Sequence, residues 1–281
     1  MDSNSKIKAK EGNINNSIAR DTFKKASTTY FFSSLFFPKN IRQDVTTLYA
    51  FVRKADNFVD RVPQDLEGIK TLIAQFYSES EDPIINNFKA LEKKLEFDPA
   101  WTEAFFNAML ADTTDVKYQT IDDLLRYIYG SAEVIGLYMC RILALPMEAD
   151  QYALLQGRAM QLINFIRDIA EDLSLSRQYI PANDLKKYGL ASLEYDATIK
   201  NREGFNELIN FELARYFKWQ KEAAKGYKLI PKQYRNAIKT ASDMYNWTAK
   251  QIAKDPFIIY SQKVKPSKLY VLSTGIKNSL F

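Results

Sequence analysis

Gln161-Leu162-Ile163-Asn164-Phe165-Ile166-Arg167-Asp168-Ile169-Ala170-Glu171-Asp172 is the stretch on which the fold turns. Its apolar residues recur at three- and four-residue spacing, the signature of one face of a helix. Leu154, Leu162, Phe165, Ile166 and Ile169 supply the packing side. Gly157, Gln161, Asn164, Asp168 and Asp172, at spacings of four, three, four and four, form a second stripe flanked by Arg167 and Glu171. Two aspartates four residues apart on a helix point the same way and repel. The same device occurs upstream in Asp56-Asn57-Phe58-Val59-Asp60, where Tyr49, Arg53, Asp56 and Asp60 share a stripe bordered by Val45, Leu48, Val52 and Val59. A lone pair of this kind is normally a solvated helix face. Two pairs, each set among apolar residues with arginine nearby, predict acidic stripes that face one another. Between them a hard divalent cation such as Mg²⁺ would bind a diphosphate, because carboxylate oxygens suit such ions.

Outward from these stripes the chain reads as helix almost throughout. The spacing predicts helices over 19–35, 39–61, 66–80, 84–95, 99–113, 120–144, 148–174, 183–189, 203–225, 231–252 and 266–278, with prolines such as Pro38, Pro63, Pro83, Pro99, Pro146, Pro181, Pro231 and Pro256 at or near the breaks. Residues 1–16 are polar, rich in Lys, Asn and Ser, and predict a disordered tail; 17–281 predict a single all-α domain. In the 120–144 helix, Tyr127, Gly130, Val134 and Tyr138 share a face with Tyr129, Ala132 and Gly136 nearby, and close helix packing is the favoured reading of that face.

Composition narrows the chemistry. Among 281 residues there is no histidine and one cysteine, Cys140. Imidazole ligands, Ser-His triads, cysteine-ligated zinc and an internal disulfide are therefore excluded, and any metal must be held by oxygen. The net charge of +5 is too mild to point to nucleic acid, and no run of 18 apolar residues predicts a membrane span.

The two acidic segments also resemble known signatures. Ala50-Phe51-Val52-Arg53-Lys54-Ala55-Asp56-Asn57-Phe58-Val59-Asp60 is similar to the first signature of the squalene/phytoene synthases, and Tyr129-Gly130-Ser131-Ala132-Glu133-Val134-Ile135-Gly136-Leu137 to their middle segment. Gln161–Asp172, followed by Arg177, Tyr179, Ile180 and Pro181, resembles their long second signature. The resemblance runs from about Thr29 to about Lys268 and is greatest to prokaryotic phytoene synthases. It implies an all-helical isoprenoid synthase fold, a helical bundle around a central apolar cavity. It also implies Mg²⁺ (Mn²⁺ as the alternative) held by Asp56, Asp60, Asp168 and Asp172, supported by Asn164 and Glu171. Arg53, Arg167, Arg177, Thr29 and Lys263 would meet diphosphate, and Tyr49, Tyr129, Tyr179 and Tyr245 would stand at the cavity, with Tyr129 and Tyr179 as candidates to accept the final proton. Asn57, Glu133 and Lys263 depart from the pattern, standing where an acid, a glycine and an arginine are common.

The activity that the resemblance implies is 1′-to-1 condensation of two prenyl diphosphates through a cyclopropylcarbinyl diphosphate. Two geranylgeranyl diphosphates would give phytoene. Two farnesyl diphosphates would give dehydrosqualene, or squalene if NADPH supplies hydride; with no apolar C-terminal anchor, a eukaryotic-type squalene synthase is the less expected. A silent relative serving in assembly ranks below both, because all four aspartates are present. Phe31, Phe32, Phe36, Phe37 and Phe51 are candidates to face carbocations, with plain core packing the commoner use of such residues. A hydrocarbon product favours peripheral membrane contact, at about 0.8 kcal/mol per buried CH₂. Residues 261–281, with Lys263, Lys265, Lys268 and Lys277 and no acid, are the candidate surface. The expected location is the cytoplasm, at the inner face of the membrane.

Overall fold

The computed structural model describes residues 28–114 and 116–279. The expected 1–16 tail and the start of the first helix lie outside the described residues. The chain runs α1 (Thr28–Ser34), α2 (Lys39–Val59), α3 (Leu66–Tyr77), α4 (Pro83–Leu95), α5 (Pro99–Ala111), β1 (Val116–Lys117), α6 (Ile121–Ile128), a π-helical turn (Tyr129–Glu133), α7 (Val134–Ile142) and α8 (Asp150–Arg167). It continues through α9 (Ile169–Ser174), β2 (Arg177–Gln178), α10 (Ala182–Lys187), α11 (Tyr195–Lys200), α12 (Arg202–Ala224), α13 (Lys232–Lys254), α14 (Ile258–Ser261) and α15 (Lys268–Ser279).

The helix starts are written locally. Asp82 and Asp98, each followed by proline, accept hydrogen bonds from the first free N–H groups of α4 and α5. Thr120 and Asp123 form a reciprocal capping box on α6. Glu96, in the left-handed region at φ 52°, stops α4.

Four features differ from the periodicity reading. The 120–144 helix contains the π turn, and the 148–174 helix breaks at Asp168, whose φ of −102° and ψ of 15° leave the helical region. Short helices α11 and α14 form where none was expected. Two-residue strands β1 and β2 pair in parallel, Val116 opposite Arg177, a link no period can announce.

The core is aromatic on one side of α2. Phe51 stacks face to face on Phe88 at 3.9 Å and touches Phe76, Phe105 and Phe106. Phe51 is therefore core, and so are Phe31 and Phe37, while Phe32 and Phe36 pack at its margin. On the other side the segment from α6 to α7 is wedged between α5 and α8 at backbone contact. A Cβ at Gly130 would lie 2.2 Å from the Ala104 carbonyl oxygen, and one at Gly157 would lie 2.5 Å from that of Ala132. Both obstacles are backbone, which cannot swing aside. Gly157→Ala should cost about 2 kcal/mol by overpacking; a change below about 0.5 kcal/mol in urea denaturation would show that α8 can draw back from the π turn.

Candidate active site

The C-terminal end of α2 delivers the first acidic pair. Arg53 lies between them, its Nη1 3.4 Å from Asp60 Oδ2 and 3.9 Å from Asp56 Oδ2. Asp56 is half-buried, and its carboxyl is pushed up to about 8, first by burial and then by Asp60 beside it; Arg53 opposes the shift. Asn57 turns to solvent, so its missing charge is absent from the exterior of the site.

The second pair straddles the break between α8 and α9. Arg167 grips the Asp168 carboxylate with two N–H groups. Lys263 reaches over from the segment before α15 to bind Glu171 and stands 3.6 Å from Asp168. Asp172 is half-buried and pushed up to about 8, by burial first and by Asp168 second. The Asn164 side-chain oxygen is buried without a hydrogen-bond partner. Among the described residues no three acidic side chains converge on one point that would hold a bare ion.

The two halves meet at Arg177, which is 3% exposed. Its Nη1 donates to Asp60 Oδ1 at 3.1 Å, its Nε to the Asp112 carbonyl at 3.2 Å, and its Nη2 to the Val59 carbonyl. Those carbonyls end α5 and α2, so two negative helix ends face one guanidinium. Burial works against its charge, but Tyr179, Asp112 and Asp60 outweigh it and hold the group above its ordinary range. Arg177 was expected to meet diphosphate; in the folded chain its side chain is turned inward as a clamp on these groups. Gln64 Nε2 donates to the same two carbonyls, at 3.1 and 2.6 Å.

Asp112, 4% exposed, was not singled out from the sequence. Tyr127 donates to its Oδ2 and Tyr179 to its Oδ1, each at 2.7 Å. Tyr179 stacks on Phe165 at 3.9 Å. Tyr129, the other tyrosine expected at the cavity, is 38% exposed, and its nearest acids are Asp98 and Glu133. Two residues along a helix turn about 200° around it, so Tyr127 faces inward where Tyr129 cannot. The spacing that put Tyr127 with Gly130 held this signal, but Asp112, just past a helix end, has no period to betray it.

The remaining expectations are placed as follows. Tyr49 is half-buried against the core and Tyr245 is buried near Arg167. Thr29 lies in α1, its side chain outside the described residues. Glu133 is buried at 3% exposure and answered by Arg158 Nε at 2.6 Å, which also covers the Trp219 ring; it belongs to helix packing. A hollow of about 670 Å³ beside Leu173, Tyr195, Arg202 and Tyr260, and one of about 440 Å³ beside Ile73, Tyr77 and Phe106, include none of the four stripe aspartates.

Known proteins share this fold. The family model described as squalene/phytoene synthase matches residues 23–270. A 15-cis-phytoene synthase of Pantoea ananas is 28% identical over 81% of this chain and 79% of its own length. A phytoene synthase of Thermus thermophilus is 34% identical over 58% of each chain. The crystal structure of a dehydrosqualene synthase in complex with ligand superposes with a TM-score of 0.87 at 22% identity, covering 96% of this chain and 97% of that one. The squalene synthase HpnC from Alicyclobacillus acidocaldarius gives a TM-score of 0.76 at 21% identity, covering 86% and 94%. With both acidic stripes in place and the family model spanning nearly the whole length, this chain belongs to the squalene/phytoene synthase family.

Proposed function

We propose that this chain condenses two geranylgeranyl diphosphates head to head, through a cyclopropylcarbinyl diphosphate, to phytoene. The observation that carries the reading is that Arg177 binds Asp60 and acts through its charge on Asp56 and Asp172, one acid of each stripe pair, in a chain aligned along most of its length with proteins named phytoene synthase.

The donor set fits a divalent cation. It is all oxygen, it holds an orphaned buried amide oxygen on Asn164, and burial together with a neighbouring aspartate pushes two of its carboxyls far above their ordinary range. Asp56, Asp60, Asn164, Asp168, Glu171 and Asp172 are the residues that would hold Mg²⁺, with substrate phosphate oxygens completing its shell. When bound, the ion neutralises the diphosphate leaving group. Arg53 and Arg167, half-buried at the acids, present guanidinium forks suited to phosphate oxygens. Lys263 offers a single mobile charge from the neighbouring segment. Tyr179 and Phe165, stacked on each other and nearly fully buried, help to exclude water from beside the acids.

The deciding experiment supplies the purified protein and Mg²⁺ with farnesyl or geranylgeranyl diphosphate, with and without NADPH, and identifies the hydrocarbons by mass spectrometry. A C40 product from geranylgeranyl diphosphate, indifferent to NADPH, is expected. A C30 product would move the chain to dehydrosqualene synthesis, or to squalene if NADPH is required. Asp172→Asn should lower kcat by roughly a hundredfold or more.

The pH dependence has a defined sign. The metal-free folded chain keeps protons on Asp56 and Asp172 up to about pH 8, whereas the unfolded chain releases them above about pH 4. Where the folded state binds more protons, stability falls as pH rises. These two groups should therefore lower the metal-free Tm progressively between about pH 4 and pH 8, and Asp172→Asn should flatten that slope. Mg²⁺ with inorganic diphosphate displaces the protons, so its gain in Tm should grow over the same window. A gain that shrinks with rising pH would contradict the assignment of these acids.

Peripheral membrane contact belongs to the same proposal. Among the described residues no helix is long and apolar enough to cross a membrane. On α15, Leu269 and Ile276 are 80% and 59% exposed, seven residues apart on one face, with Lys265, Lys268 and Lys277 nearby. Vesicles containing anionic lipid should sediment the protein. Leu269→Ser combined with Lys265→Gln, Lys268→Gln and Lys277→Gln should weaken this roughly tenfold or more, at about 1 kcal/mol per lysine; unchanged sedimentation would remove α15 as the contact.

A further inference from the structure

We propose that Asp112 is a positioning residue that fixes the polarity of two phenols, committing the Tyr127 and Tyr179 hydroxyl protons to its carboxylate so that only their oxygen lone pairs remain for the reacting carbocation. The inference rests on the condensation proposed above and assigns a role to a residue outside both acidic stripes.

The geometry is unambiguous in direction. An ionised carboxylate accepts and cannot donate, while a phenol has one proton to give. With Tyr127 on Oδ2 and Tyr179 on Oδ1, both at 2.7 Å, each phenol has made its single donation. The Asp112 backbone leaves little freedom to escape. Its N–H closes α5 on the Ala108 carbonyl, and its carbonyl is held by Gln64 and Arg177. The rings are held too: Tyr179 by the Phe165 stack, and Tyr127 by rings of Tyr118, Phe165 and Tyr179 at 5.4–6.1 Å. Burial, first among the causes, keeps both phenols well above their ordinary range, so they stay protonated donors. Asp112 itself is raised by burial only to about 6, because Arg177 and the two phenols favour its charged form.

A phenol that donates to a carboxylate carries more negative charge on its oxygen. Two such oxygens, fixed before substrate arrives, are dipoles set to stabilise positive charge when it develops, at no reorganisation cost in the chemical step. Without Asp112 either phenol could rotate its proton toward the cation and oppose it. The Asp112 carboxylate does not touch the reacting carbon; it acts through the tyrosines, and its loss should affect the second ionisation and rearrangement more than substrate capture.

Asp112→Asn tests this in the full chain with Mg²⁺ and geranylgeranyl diphosphate. The amide oxygen still accepts from one phenol, but the NH₂ donates to the other and reverses its polarity. The expected result is kcat down at least roughly tenfold with KM within about threefold, and cyclopropylcarbinyl diphosphate accumulating in single turnovers. Asp112→Glu should recover part of the rate. In the free protein, ultraviolet resonance Raman of the tyrosine doublet should show strong phenol donors lost in Asp112→Asn. Parent-like kcat and product partition would overturn the proposal, as would equal losses in the Asn and Glu variants with an unchanged Raman signature, which would mark a purely structural role. If Asp112→Asn does not fold, the Tyr127→Phe/Tyr179→Phe double variant must reproduce the kcat loss and the accumulating intermediate, and parent-like behaviour there overturns the proposal. If the parent enzyme makes no hydrocarbon, the functional reading falls by itself. The Raman comparison then decides the polarity claim separately, and unchanged donors would overturn it.

Discussion

One buried guanidinium organises the site. Arg177 faces the C-terminal carbonyls of α2 and α5 and the carboxylate of Asp60, and each of these carries negative charge or the negative end of a helix dipole. Removing that cation would leave two helix ends and an acid facing one another in a poorly hydrated space, the arrangement in which lost pairing is most destabilising. β2 positions Arg177 through its pairing with β1, so a two-residue ladder fixes the residue that joins the acidic halves.

The rest of the electrostatics is a controlled deficit of positive charge. Asp60, Asp168 and Glu171 have basic partners in Arg53, Arg177, Arg167 and Lys263. Asp56 and Asp172 are raised first by burial and then by a neighbouring aspartate, with arginine only partly opposing the shift. A second buried cluster shows the contrast. Glu212, fully buried, is likewise pushed up to about 8 by burial, yet Arg215 binds it directly and bridges it to Asp184. That cluster joins α12 to α10 and has its cation built in, whereas the acidic stripes sit where a cation would arrive from outside.

Sequence reading recovered what obeys a period and missed what does not. The stripes on α2 and α8 are periodic, and Asp56, Asp60, Asn164, Asp168 and Asp172 lie at the spacings expected of them. The break at Asp168 and the π turn were invisible because neither carries a proline and the apolar spacing continues through both. Asp112 and Gln64 were missed because they lie beyond helix ends, where position follows from tertiary contact alone. The contacts of Arg177 with the ends of α2 and α5 were not legible, because nothing local says that an arginine faces the ends of helices distant in the chain. Tyr127 and Tyr129, two residues apart, differ in burial because they point in different directions from one helical turn.

The long reach of the Arg177 contacts bears on how the molecule folds. Its bonds to Val59 and Asp112 close loops of 118 and 65 residues, while the helices themselves close over three or four. Local contacts form quickly, and long loops must wait for the entropy of closure to be offset by packing. The contacts within each helix are thus local, whereas those that assemble the site join segments far apart in the chain. Apart from those long-range contacts the acidic stripes would be no more than repelling charges on separate helices.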